Sequence, residues 1–228
     1  TREIALRYKN EFANIYADLS KRDTSGFTPL AAGLRALKNT ALYYLSVTEE
    51  ESHLELAIRQ RREAKTMTEE LGALEALSNV SAPVRDTAFE EFYAKWKHET
   101  LVINKWFTVQ AVSTRPDTLE RVRKLATDPL FDKNNPNKIY SLYTAFCRYN
   151  QLRFNDPSGA GYRLIADQIL EIDERNPQVA SSLMAGFSHW RKLDGKRQAL
   201  IRTELERILA KPGLSSNVYE LASKMLNG

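Results

Sequence analysis

The sequence is poor in the residues that bind metals and cross-link chains: one cysteine and three histidines stand among 228 residues. A single thiol excludes an intramolecular disulfide, and without a cysteine cluster there is no thiolate zinc site. Cys147 lies in the apolar run Tyr143-Thr144-Ala145-Phe146-Cys147, where it reads as a small buried hydrophobe in a reducing compartment. Long apolar runs are missing too. No stretch approaches the roughly 18 residues a membrane helix needs, and mean hydropathy is −0.47. The first residues, Thr1-Arg2-Glu3-Ile4-Ala5-Leu6, are amphipathic, with no apolar signal core and no initiator Met. These features predict a cytoplasmic piece of a longer protein that keeps away from membranes.

Charge of one sign is in short supply. Thirty-three Lys and Arg against 29 Asp and Glu leave a net charge of +4. The basic residues bunch at Arg59, Arg61, Arg62 and Lys65, and again at Arg121, Arg123 and Lys124. Both groups are interleaved with acids or lie along a helix face, so they read as solvated faces rather than a nucleic-acid footprint.

Catalytic signatures are absent as well. A zinc-peptidase helix needs two histidines four apart, with a glutamate beside the first; after His98-Glu99 the fourth position is Val102. His53 and His189 have no second histidine at helical spacing and read as polar groups at the surface or between helices. Gly159-Ala160-Gly161 holds no central serine and no phosphate-binding lysine. The acidic pairs Glu90-Glu91 and Asp173-Glu174 are adjacent, so on a helix they diverge by about 100° and read as solvated charges. Trp96, Trp106 and Trp190 fall in stripes with Phe92, Phe107 and Phe187, the spacing of helix–helix core packing.

What the sequence does have is helical periodicity from end to end. Ile4, Tyr8, Phe12, Ile15, Tyr16 and Leu19 form one apolar stripe, and Ser25-Gly26 a turn. Pro29 suits the first turn of the next helix. Thr48 with Glu51, and Thr66 with Glu69, have the spacing of capping boxes. Further helices are predicted to about His98, over 101–112, to about Thr127, from Asn135-Pro136-Asn137 onward, over 161–171, from Asn176-Pro177 to Trp190, over 194–209 and over 216–226. Strand alternation and hairpin turns are lacking. Roughly a dozen helices with short turns predict an all-α fold. The architecture expected is an irregular superhelical solenoid of paired antiparallel helices, armadillo- or HEAT-like, forming one domain over 1–228. The loop at 127–137 is the best place for a boundary and is taken as a bend.

The second half carries an ordered set of short motifs: Asn135-Pro136-Asn137-Lys138-Ile139-Tyr140-Ser141-Leu142, then Gly159-Ala160-Gly161-Tyr162, Asn176-Pro177-Gln178-Val179-Ala180-Ser181, and Trp190-Arg191-Lys192-Leu193-Asp194. With Arg35-Ala36-Leu37-Lys38-Asn39 and Met67-Thr68-Glu69 in the first half, the chain resembles the C-terminal helical domain of the bacterial-type alanyl aminopeptidases (the aminopeptidase N family of zinc-dependent H-E-x-x-H peptidases). The resemblance covers nearly the whole chain. It implies a domain with no cofactor and no catalytic group of its own, whose partners are a zinc-binding catalytic domain and peptide substrates. In that family the last domain covers the catalytic domain, encloses the active-site cavity and restricts what reaches it. Asn137, Lys138, Tyr140, Asn155, Tyr162 and Ser182 are the implied cavity-lining positions. Several depart from the family: Lys138 and Tyr140 stand for two arginines, Ser182 for a third, and Asn155 for a histidine. Lysine offers only a point charge where arginine grips a carboxylate with two parallel bonds, so Lys138 either lines the cavity or is a plain surface charge, and Asn137 also reads as a helix cap. A stand-alone scaffold for protein partners is the alternative.

Overall fold

The computed structural model describes residues 1–227. Every regular element in them is helical. The chain divides into two compact units, Thr1–Val109 and Gln110–Gly228, so the division falls near 109 rather than in the loop at 127–137.

In the first unit, α1 (Arg2–Arg7) and α2 (Lys9–Ser20) replace the single helix the stripe suggested. Tyr8 breaks it with φ −113°, and Ile4 and Tyr8 stay exposed while Tyr16 and Leu19 are buried. α3 (Pro29–Ser46) starts where Pro29 indicated, capped by the Thr28 hydroxyl accepting from the Ala31 amide. It packs against α2, α4 (Glu51–Glu63) and α5 (Met67–Leu77), burying Leu42 and Leu45 against a core that includes Leu74 and Leu77. Of the two threonines at capping-box spacing, only Thr66 acts as an N-cap. Thr66 accepts from the Glu69 amide and caps α5. Thr48 does not cap α4, because Glu49 takes a left-handed φ of 58° and moves the helix start to Glu51; the Thr48 hydroxyl instead meets Leu45 O and His53 Nδ1. α6 (Val84–Trp96) and α7 (Thr100–Ala111) complete the unit, α7 running past its edge. Trp106 is buried there and donates to Phe89 O, as core packing requires.

In the second unit, α8 (Thr118–Leu125) is followed by α9 (Pro136–Ile139), which passes directly into a ten-residue π-helix, Tyr140–Tyr149. α10 (Gln151–Phe154), α11 (Ala160–Asp173), α12 (Pro177–Leu183), α13 (Gly195–Leu209) and α14 (Ser216–Asn227) follow. The helix expected over 176–190 ends at Leu183 and continues as two short 3-10 turns, Met184–Phe187 and Trp190–Lys192. α11 packs on α12 and α13, and α14 on α12 and α13. Their core is aromatic: Tyr143, Phe146, Phe154, Tyr162 and Phe187 are buried, and Phe154 meets Phe146, Tyr162 and Phe187 at ring-centroid separations of 6.0, 5.1 and 5.7 Å. Gly161 is obligatory in this packing, because a Cβ there would lie 2.7 Å from Phe154 O. Cys147 is fully buried, and burial pushes its thiol up to about 12, so it packs as a hydrophobe. Trp190 is buried too, donating to Met225 O.

Candidate functional site

The implied cavity-lining residues all lie in the second unit, on α9 and the start of the π-helix, on either side of the Gly159 turn, and on α12. The first group begins with an N-cap, which belongs to Asn135 and not to Asn137. Asn135 Oδ1 accepts from the Asn137 amide at 2.9 Å, because Pro136 occupies the first helical position and has no N–H to offer. Asn137 is left exposed on the second residue of the helix. Lys138 is only 4% exposed, so the reading as a plain surface charge does not hold. Burial works to lower the pKa of its ammonium, and the carboxylates of Asp128 and Asp132 work against that; burial prevails. Tyr140, two residues on, is half exposed.

The second group is a bonded network. Tyr162, fully buried, donates its phenol proton to Asn155 Oδ1 at 3.0 Å. Burial pushes the Tyr162 hydroxyl up to about 12, so it remains a donor at neutral pH. Asn155 Nδ2 donates back to Gln151 O at 2.9 Å. Its carbonyl accepts from Arg197 Nε at 2.6 Å, and Arg197 is tied to Asp194, the N-cap of α13. Gly159 makes the turn between these residues with φ 71°, a left-handed conformation suited to glycine. Ser182, the third group, donates to Val179 O at 2.7 Å, one turn back along α12.

The structure therefore joins Asn155 to Tyr162, and α12, which carries Ser182, packs on the π-helix that begins at Tyr140. Arg197 and Asp194 belong to the Asn155 network and were not read from sequence as its partners; Arg197 lies 42 residues from its acceptor, and no local motif marks such a bond. One reading is corrected: Asp173 is not a solvated charge. It is buried, and its carboxylate accepts from the Ser215 amide at 2.9 Å and from the Ser215 hydroxyl, anchoring the segment before α14. Among the described residues, no group of three or more His, Cys, Asp or Glu is arranged to hold a metal ion, and no helix is long and apolar enough to cross a membrane. Around the six implied lining residues the geometry offers hydrogen-bond donors and one buried cation.

Comparison with known proteins gives a consistent result. Residues 1–227 match the family described as a domain of unknown function (DUF3458_C) with ARM repeats, in line with the armadillo-type expectation. The chain is similar to aminopeptidase N of Caulobacter vibrioides, with 41% identity over 86% of this chain and 23% of that protein. It is also similar to aminopeptidase N of Haemophilus influenzae, with 34% identity over 98% of this chain and 25% of that protein. Among solved structures it resembles Legionella pneumophila aminopeptidase A in complex with aspartic acid, with TM-score 0.88 and 35% identity over 99% of this chain and 27% of that one. The chain thus spans about a quarter of the length of the relatives it matches, corresponding to their C-terminal region.

Proposed function

The chain belongs to the family of ARM-repeat domains described as DUF3458_C, and on that premise we propose that it is the substrate-gating, non-catalytic domain of a zinc-dependent aminopeptidase acting on peptides in the cytoplasm. The observation that carries this reading is the match, across nearly the whole chain, to a quarter of proteins named aminopeptidase N. The family match runs unbroken through both units, which supports treating residues 1–228 as one domain. The zinc ligands and the reacting groups belong to the catalytic domain that is this chain's partner. The helical domain acts sterically: it roofs the active-site cavity, so extended peptides reach the metal and folded proteins do not.

In this reading Lys138, Tyr140, Asn155, Tyr162 and Ser182 line the roof, together with Asn137. Lys138 supplies a single positive charge toward a peptide carboxylate or carbonyl, without the two-pronged grip an arginine would give. The Asn155–Tyr162–Arg197 network holds its wall rigid rather than touching the reaction. The test is hydrolysis of alanyl-arylamide and short peptides by the chain alone, then after mixing with a separately expressed zinc-bearing catalytic fragment. The expected result is no turnover alone and altered peptide selectivity on mixing. Zinc-dependent turnover by the chain alone would contradict the proposal, and no effect on mixing would transfer the chain to the class of independent interaction scaffolds.

A further inference from the structure

The first unit contains a cleft that the gating role does not use. It has a volume of about 520 Å³ and lies among α2, the turn at 21–28, the end of α4 and the start of α5. That volume is within the range of small-molecule sites. Its floor is built. Lys38 and Glu69 form an ion pair at 2.9 Å with side chains 12% and 8% exposed. The Glu69 carboxylate also accepts from the Thr66 and Thr24 hydroxyls at 3.2 and 3.4 Å. Beside them stands Gln60, 5% exposed. Its Nε2 donates to Asn39 Oδ1 and Glu69 O at 2.8 and 2.9 Å. These two acceptors fix the amide's orientation, and Gln60 Oε1 is left buried with no donor.

The rim is equally selective. Arg22 is bound to Asp18, and Asp23 to the amide and hydroxyl of Ser25. Arg59, Lys65 and Glu63 are exposed and make no hydrogen bond or ion pair. On α4, Glu63 lies one turn from both Arg59 and Gln60, so the three share a face. The uncommitted groups of the rim are therefore two cations and one carboxylate. A polyanion would meet Glu63 and Glu69, and a simple cation would meet Arg59, Lys65 and Lys38. A molecule carrying both charges satisfies all of them.

We propose that this cleft binds a small zwitterion of the amino-acid to tripeptide class. Its carboxylate is held by Arg59 and Lys65, and its ammonium by Glu63 on the same face of α4. The inference rests on the first unit alone and is independent of the role assigned to the second.

The experiment is an amide-resolved NMR titration of the 228-residue chain with alanine, dialanine and trialanine. Acetate and ethylamine serve as single-charge controls. At least one zwitterion is expected to saturate with a Kd of about 1 mM or tighter, shifting amides around Ser20, Gln60, Lys65 and Glu69. Acetate and ethylamine are expected to bind at least about tenfold more weakly. Arg59→Ala/Lys65→Ala changes only exposed, uncommitted side chains, so the fold is kept and affinity for the zwitterion falls about tenfold or more. Glu63→Gln, equally exposed, weakens the same ligand while leaving acetate unaffected. The proposal is overturned if no zwitterion saturates, if acetate or ethylamine binds as well as the best zwitterion, if the shifts map elsewhere, or if the double variant binds unchanged.

Discussion

The two units solve the problem of a helical interior in different ways. The first buries charge: Arg35, Arg61, Glu69, Glu70 and Arg85 are all below a tenth exposed. Each is held by a partner. Arg35 donates to Thr24 O and Gly26 O, pinning the turn before α3. Arg61 pairs with Glu91, and Glu70 accepts from Lys95 and from the Trp96 indole. The second unit also buries Lys138, Asp173 and Glu204, but its centre is aromatic volume around Phe154, with glycines where rings or backbone need the space. Directional bonds fix the first interior and shape the second. A buried charge tolerates the loss of both partners better than the loss of one, whereas a packed ring has no such rescue. Substitutions that separate these behaviours test the comparison.

The largest effect is expected at Phe154. Phe154→Ala opens a cavity at the meeting point of three rings and should cost about 4 kcal/mol in denaturant unfolding, with no second substitution nearby restoring it. Lys38→Met should cost about 3 kcal/mol by leaving the Glu69 carboxylate buried without its cation. In contrast to Phe154, the double replacement Lys38→Met/Glu69→Leu should recover most of that loss. If the double variant is as unstable as the sum of its parts, the charge-based account of the first unit is wrong.

The same pair gives a pH dependence of defined sign. Burial acts to raise the Glu69 pKa, but the hydrogen bond and charge of Lys38 and the Thr66 and Thr24 hydroxyls outweigh it, and the pKa lies below its ordinary value of 4.5. Glu69 therefore contributes stability that is fully present above pH 4.5 and is lost as pH falls through the lower, folded value. A Glu69→Gln chain should show a flatter stability profile in that acidic window, measured by thermal unfolding. Gly161→Ala should cost about 2 kcal/mol through the clash with Phe154 O. At the bottom of the scale, Lys224→Ala removes a solvent-exposed pair with Glu220 and should leave the unfolding midpoint unchanged within measurement error.

The helix starts were legible because capping is local. Thr28-Pro29, Thr66 with Glu69, Asn135-Pro136, Asn176-Pro177 and Asp194 all act within three residues, and all of them cap helices. Thr48 with Glu51 has the same spacing but fails, because the left-handed Glu49 between them is a backbone choice that residue types do not announce. The π-helix was invisible for a related reason. Tyr140–Tyr149 is apolar on most sides, so over ten residues its pattern cannot be told from an α-helix. The candidate lining residues came from resemblance, not from periodicity, and the bonds that tie Asn155 to Arg197 and Arg197 to Asp194 emerged only from the fold. The cleft of the first unit was hidden for the same reason, since its walls come from residues as far apart as Tyr16 and Glu69.

The central claim is that this chain gates a peptidase without performing the chemistry. The most direct measurement compares kcat/KM for a short peptide and for a folded protein with the same N-terminal residues. Each would be hydrolysed by a zinc-bearing catalytic fragment with and without this chain. The account predicts that adding the chain raises the ratio of short-peptide to folded-protein turnover by about tenfold or more, a difference of about 1.4 kcal/mol in transition-state access. An unchanged ratio, with the chain demonstrably bound to the fragment, would contradict it.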